Sequence, residues 1–403
     1  MIFTFFDQIL RKKNTFLETI AQKIPTPFYL YNEVTIQKHI KELKETFKGV
    51  SFRPTFAVKS NANPYLLSVF NEHGIGADVI SRGEFYAAVK GKIPSENMVW
   101  NGNAKTEDDM DFFIKKSVQN VNVDSFDELV KWSEVSSAKL IPSLFLRVNP
   151  AINVSTHPFI ATGSNHHKFG IPLSEIDHCL QFAKVTGLHI SGFHVHIGSQ
   201  ITDYNSFKQA YSFISTLAKK HNLSEVNIGG GWGIPYYDGK KLDLVEMKKF
   251  MKETFKSLKV WCEMGRFLIG EAGWYVSRVI ENRTYRSETI CITDGGMNHL
   301  LRPSLYGANH SFSCTDSSAE KGNVKVMGRL CESGDVLVPP SIQPIPKVGS
   351  LIAIHQSGAY GFSMANHYNG FPLPAEIYLF SDGNFKIIRK AETVKELLRN
   401  TLE

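Results

Sequence analysis

A (β/α)8 barrel followed by an all-β domain is the fold this sequence predicts, an α/β protein in class. Two observations carry that prediction. From about Asn32 to Gly273, short apolar or β-branched runs alternate with amphipathic stretches, eight times over. After Gly273 the period changes to strand-like alternation broken by Gly, Pro and Asn. The length of 403 residues suits one large barrel with a smaller partner.

The eight runs are TFAVKS (55–60), ADVI (77–80), NMVWNG (97–102), NVNVD (120–124), LFLRVN (144–149), ISGFHVHIG (190–198), EVNIGG (225–230) and KVWCEM (259–264). Helical stretches follow most of them. PYLLSVFNEHG opens on Pro64 and SFDELVKWSEV on Ser125, both suited to a helix start. Eight strand–helix units are what barrel closure needs; an open doubly wound sheet is the competing arrangement. An insertion, PAINVSTHPFIATGSNHHKFGI, separates the fifth strand from its helix and reads as a binding loop. Beyond Gly273, WYVSRVIENR, ETICITDGG, VKVMGRL, SLIAIHQ and AEIYLFSDGNFKIIRK alternate like strands, with SDGN as a hairpin-type turn between the last two.

Composition narrows the class. Hydrophobic residues at 42% and charged residues at 21% exclude disordered, collagen-like and coiled-coil chains. A net charge of +6, not gathered into a basic tail, argues against nucleic acid as the main partner. Five cysteines without a C-x-x-C pair fit neither a disulfide scaffold nor a zinc cluster, so reduced thiols in a cytoplasmic protein are expected. The start, MIFTFFDQILRKK, is broken by Asp7 and then turns basic, the reverse of a signal peptide. The longest uncharged stretch, 348–375, is rich in Gly, Pro, Asn and His and cannot form a membrane helix.

Polar residues concentrate at the ends of the barrel runs, where such a fold keeps its site. Lys59 ends the first. Burial of an ammonium is costly and lowers its pKa, which makes the amine nucleophilic and suits Schiff-base chemistry; a lysine snorkelling outward is the plain alternative. GGGWG (229–233) follows the seventh run, where consecutive glycines let N–H groups converge on a phosphate; a tight turn is the plain alternative. Glu263 ends the eighth run, with Arg266 in the next turn, and a carboxylate there needs a cationic or N–H partner. His194 and His196 fall on one face of the sixth strand. A metal site lacks a recognisable third ligand, and an imidazole stacked on a cofactor ring explains the position better. CESGD (331–335) combines a thiol, two carboxylates and a glycine in a turn.

At these residues the chain resembles the fold type III (alanine racemase-like) pyridoxal-phosphate decarboxylases, and within them the diaminopimelate decarboxylases. The matching motifs are FAVKSNAN, ADVISRGEF, NVDS, THPFIATG followed by KFGI, GFHVHIGSQ, GGGWGIPY, EMGRFLIGEAG, RPSLYGA, CESGD and GAYGFSMANHYN, in family order over nearly the whole chain. The resemblance implies three segments: residues 1–27 joining the β domain, a barrel binding pyridoxal 5'-phosphate over 28–274, and the C-terminal β domain over 275–403. It implies a homodimer with shared active sites, and a small amino acid as substrate.

Carried over position by position, Lys59 matches the lysine that bonds the cofactor and His196 the histidine on its ring, with Ser199 near the phosphate. Gly229, Gly230 and Gly231 match the phosphate loop, with Arg266 and Tyr360 at phosphate and substrate. Glu263 matches the carboxylate at the ring nitrogen; a racemase of this fold would have a weaker partner there, such as arginine. Arg302 and Tyr306 match residues holding a distal carboxylate. Cys331, as proton donor, and Glu332 match residues that reach the neighbouring subunit's site. The implied reaction is loss of CO2 from meso-diaminopimelate to give L-lysine, in lysine biosynthesis. Four positions depart from the family pattern: Met264 for proline in EPGR, His299 for an acidic residue, and Gly370 and Phe371 in the region usually reading YNSRP. Another α-amino acid with a distal carboxylate is the alternative substrate, and a non-catalytic paralogue the alternative class; Lys59, Cys331 and Glu263 are all retained against the latter.

Overall fold

The computed structural model describes residues 14–135, 142–150, 152 and 169–401. The start of the chain and nearly all of the insertion after the fifth barrel run, with its THPFIATG motif, lie outside the described residues. The chain divides into two compact units: Gln37–Ile234 with Lys240–Leu268, and the remainder, comprising the chain up to Ile36, Pro235–Gly239 and everything from Ile269.

The first unit is the expected barrel. Its parallel strands are Ser51–Ala57, Gly76–Val79, Met98–Trp100, Asn120–Val123, Ser143–Asn149, Ile190–His194, Glu225–Asn227 and Lys259–Met264. Lys259–Met264 pairs back onto Ser51–Ala57, with Glu263 opposite Thr55, and this closes the ring. Helices follow because the local chemistry starts and stops them. Asn63, Ser81, Thr106, Asp203 and Asp243 each accept first-turn N–H groups from their own helices. Helix Ile176–Thr186 stops where Gly187 takes φ +75°, a backbone state that a side chain would strain. Buried aromatics, including Phe56 stacked on Phe70 and Trp100 on Phe113, fill the layer between strands and helices.

The second unit is built on a nine-stranded mixed sheet in the order Val336–Pro346, Ser317–Met327, Glu288–Thr293, Gly273–Tyr285, Phe28–Asn32, Ala375–Leu379, Phe385–Arg389, with Leu351–Ile354 branching from Gly273–Tyr285 and Phe312–Cys314 pairing onto Leu351–Ile354. Phe28–Asn32 lies between Gly273–Tyr285 and Ala375–Leu379. Helix Asn14–Lys23 covers this centre, with Leu17 and Ile20 packed among Phe28, Leu30, Trp274, Val276 and Ile377. Phe28–Asn32 groups with the second unit because it pairs on both sides within that sheet. Val336–Pro346 went unread because Pro339, Pro340, Pro344 and Pro346 cannot donate to a ladder; the strand lies at the sheet edge, where that lack is tolerated. The SDGN turn joins the last two strands as expected, with Gly383 at φ +89°.

Candidate active site

Lys59 lies two residues beyond its strand, in a 3-10 turn of Val58–Ser60 that Ser60 fastens by donating to the Ala57 carbonyl. Its side chain keeps 41% of its exposure, and its Nζ lies 3.9 Å from Oδ2 of Asp78, which is 1% exposed. The desolvation argument read from sequence is therefore replaced by an acidic neighbour. Asp78 Oδ1 accepts from Asn101 Nδ2 at 2.8 Å, whereas Oδ2 is buried without a hydrogen bond in the structure. Burial, and then the charge of Glu263, push the Asp78 carboxyl up to about 7 against the pull of Lys59.

Glu263 sits opposite in character. Its Oε1 accepts from Asn122 Nδ2 and from Asn227 Nδ2, each at 2.7 Å, and its Oε2 lies 3.5 Å from His194 Nε2. Burial works to raise this carboxyl, yet His194, with His196 and Lys59 behind it, outweighs burial and holds it well below the usual range. Asn122 also donates to Asn101 Oδ1 at 2.8 Å, so one chain of amides joins the two acids. Next to them, Arg147 pairs with Asp124 at 3.0 Å. Where two carboxylates share a buried region, one keeps the charge and the other holds a proton more tightly. Here His194, His196 and Lys59 select Glu263.

The loops after the sixth and seventh strands are zipped together. Ile201 N–H donates to Gly231 O and Gly233 N–H to Ile201 O, while the Gln200 amide both donates to and accepts from Ile234. His196 Nδ1 accepts from the Gly230 N–H at 3.2 Å, which leaves Nε2 to carry the proton of a neutral ring. Burial, reinforced by Lys59, lowers the His196 pKa far below normal. The glycines are sterically required: a Cβ on Gly230 would stand 2.1 Å from the Glu263 carbonyl oxygen, and one on Gly231 2.2 Å from that of Gly198. Arg266, itself buried, donates to Ser199 Oγ at 3.2 Å beside this loop. Lys59, His196, Ser199, Gly229, Gly230, Gly231, Glu263 and Arg266 thus belong to one barrel.

The remaining sequence candidates belong to the β unit. Arg302 and Tyr306 bound a short helix closed by Gly307, and Arg302 is buried against Tyr236 and His310. Cys331 is exposed, its N–H donating to Asn369 Oδ1 at 2.9 Å, and Glu332 meets the Tyr368 hydroxyl at 3.4 Å. Tyr360 adopts φ +57°, a strained backbone for a bulky residue. Three of the departures from the family pattern meet here. His299 Nε2 lies 3.0 Å from the Pro372 carbonyl, next to Phe371 and Gly370, and the Arg329 guanidinium sits 5.3 Å from the Phe371 ring. The fourth, Met264, is buried at the end of its barrel strand.

Residues 33–270 match the family model for the pyridoxal-binding domain of pyridoxal-dependent decarboxylases. The chain belongs to that family. This decarboxylase is 35% identical to diaminopimelate decarboxylase of Aquifex aeolicus, covering 96% of this chain and 94% of the relative. It is 34% identical to diaminopimelate decarboxylase of Methanocaldococcus jannaschii, covering 94% and 92%. The crystal structure of Helicobacter pylori diaminopimelate decarboxylase complexed with L-lysine superposes with a TM-score of 0.90 at 32% identity, covering 95% of this chain and 98% of that one.

The decarboxylase uses pyridoxal phosphate, and the residues present fit that group. An ionised carboxylate, a neutral imidazole, a glycine loop that tolerates no Cβ and a buried guanidinium stand at one end of one barrel, and the Asp78 oxygen without a hydrogen bond faces Lys59 there. Among the described residues no helix is long and apolar enough to cross a membrane. Sequence reasoning missed Asp78, Asn101, Asn122, Asn227, Arg147 and Gln200. Asp78 carried a usable signal, a charge inside the apolar run ADVI, the same cue that marked Lys59.

Proposed function

We propose that this decarboxylase removes CO2 from the D-configured carbon of meso-diaminopimelate and leaves L-lysine, as a cytoplasmic homodimer with shared active sites. The observation that carries the reading is Glu263, a buried carboxylate at the end of the barrel that accepts from two amides and is held ionised, against its burial, by His194, His196 and Lys59. Pyridoxal phosphate, when bound, supplies a protonated ring that accepts the electron pair left by a departing carboxyl group. Lys59 would bond it covalently, Glu263 would pair with its ring nitrogen and His196 would lie against its ring. Ser199, Gly229, Gly230, Gly231, Arg266 and Tyr360 hold its phosphate, with Arg266 and Tyr360 also reaching the substrate.

An ionised Glu263 favours a proton on an opposing nitrogen, because the opposite charge stabilises the cation. A neutral His196 adds no competing charge at the ring face. Arg302, with Tyr306, binds the distal carboxylate through its planar fork, which an ornithine or lysine side chain lacks the group to meet. Glu332 contacts the substrate from the neighbouring subunit, and the Cys331 thiol delivers the proton that Cα takes up after CO2 leaves. A second reading, another α-amino acid with a distal carboxylate, draws on His299, Gly370 and Phe371, which reshape the segment touching Cys331.

The deciding experiment measures CO2 release from meso-diaminopimelate, its LL isomer, D-lysine, ornithine and carboxylated conjugates. Release from the meso isomer alone is expected. Preference for a conjugate selects the second reading. Cys331→Ala is expected to retain the cofactor and to lose about a hundredfold in kcat; undiminished turnover removes the thiol from the reaction.

A further inference from the structure

We propose that His310 is a positioning residue that aims the Arg302 guanidinium at the substrate's distal carboxylate, together with the face of Tyr236. The inference rests on the reading of Arg302 given above and adds what makes that arginine a defined ligand.

His310 is 0% exposed, and its Nδ1 lies 2.7 Å from the backbone carbonyl of His355. A carbonyl only accepts, so Nδ1 carries the hydrogen and donates. The Nε2 of the neutral ring is then an acceptor, and Arg302 Nη1 donates to it at 2.9 Å. Arginine has five N–H donors in a fixed fork, so committing one of them in the plane fixes the direction of the others.

The second wall is Tyr236, whose ring lies 4.7 Å from the Arg302 guanidinium carbon. The same ring meets His310 edge-on, with centroids 5.3 Å apart and planes at 84°. Tyr236 comes from Pro235–Gly239, a five-residue excursion flanked on both sides by barrel sequence but grouped with the β unit. Arg302, 5% exposed, is thus held in the plane by His310 and across a face by Tyr236. A long side chain with many rotamers is reduced to few, which lowers the entropy lost when it grips a carboxylate. His310 touches no substrate in this scheme; it acts through Arg302.

The test compares Arg302→Ala, His310→Phe, His310→Gln and Tyr236→Leu as holoenzymes. The readouts are KM and kcat for meso-diaminopimelate, and inhibition constants for L-lysine, which retains the distal carboxylate, and for 1,5-diaminopentane, which has none. His310→Phe removes the acceptor and is expected to raise KM and the L-lysine constant about tenfold, with kcat within about twofold and the diamine constant unchanged. His310→Gln, whose amide oxygen can accept, should recover most of that loss. Tyr236→Leu, at a half-buried position, should show the same pattern in smaller measure.

If Arg302→Ala raises both constants while His310→Phe and Tyr236→Leu leave them at wild-type values, the positioning role is wrong and the reading of Arg302 stands. If Arg302→Ala itself changes neither, that reading falls and this inference with it. Should His310→Phe fail to fold, His310→Gln and Tyr236→Leu decide. A glutamine variant as impaired as Arg302→Ala, or a leucine variant with unaltered constants, overturns the proposal.

Discussion

Asp78 and Glu263 lie in one amide-linked network and take opposite sides of the same electrostatic bargain. Glu263 accepts two amide hydrogen bonds and stays charged beside His194, His196 and Lys59; Asp78 accepts one and is pushed up to about 7 by burial and by Glu263. The sign of the consequence is fixed by the direction of that shift. A carboxyl with a raised folded-state pKa binds more protons folded than unfolded, so its contribution to stability is largest below its ordinary value and declines as pH rises towards 7. In the cofactor-free protein, Asp78→Asn should therefore gain stability over wild type progressively from about pH 4 to about pH 7. Melting curves that run parallel for the two proteins across that window would contradict the assignment. At this scale the sequence was half legible. Lys59 and Glu263 stand out as charges at the ends of apolar runs, but Asn122 and Glu263 are 141 residues apart, and no local spacing shows that they meet. Asparagine within a strand reads as an ordinary polar residue until the barrel closes.

At the scale of elements, the coupling of the loop at Ser199–Ile201 to the loop at Gly231–Ile234 matters most for the site. Backbone bonds in both directions and the Gln200 amide make the two loops one sheet-like strip, and the glycines let that strip approach the Glu263 backbone. Gly230→Ala should force the strip away from Lys259–Met264, with a loss of about 1–3 kcal/mol and a fall in bound cofactor per subunit. Denaturant midpoints and the cofactor's absorbance measure the two separately; full occupancy at wild-type stability would show that the strip has slack. Elements with a clean period were readable, as the eight barrel runs were. Val336–Pro346 was hidden by its prolines, and Phe28–Asn32 because its run FYLYN adjoins the barrel's alternating pattern while its partners lie some 245 and 347 residues further on. Strand pairing of that kind is decided by tertiary packing and not by local propensity.

For the whole molecule, the proposed sharing of sites between subunits makes a quantitative prediction. Lys59→Ala and Cys331→Ala homodimers should each be nearly inactive, because each lacks one half of every site. Mixed and allowed to exchange, they form hybrid dimers in which one site carries both defects and the other carries neither. Random exchange puts half the population in hybrids and restores about a quarter of wild-type activity. Activity that stays at background after exchange verified by mass would mean that each site is built from a single chain. The even charge pattern, with 45 basic and 39 acidic residues, agrees with a small-molecule enzyme and gave no information about subunit contacts.

Tyr236 sits on a five-residue excursion that belongs with the β unit although barrel sequence flanks it. Anyone grafting the β unit of a relative onto this barrel to change its preference meets that loop first. A chimera joined only at 36/37 and 268/269 would keep the host's Pro235–Gly239 opposite a foreign arginine, and the guanidinium would lose the ring fitted to it. Four junctions, not two, define the exchangeable module, and the smallest piece between them is the one most easily left behind.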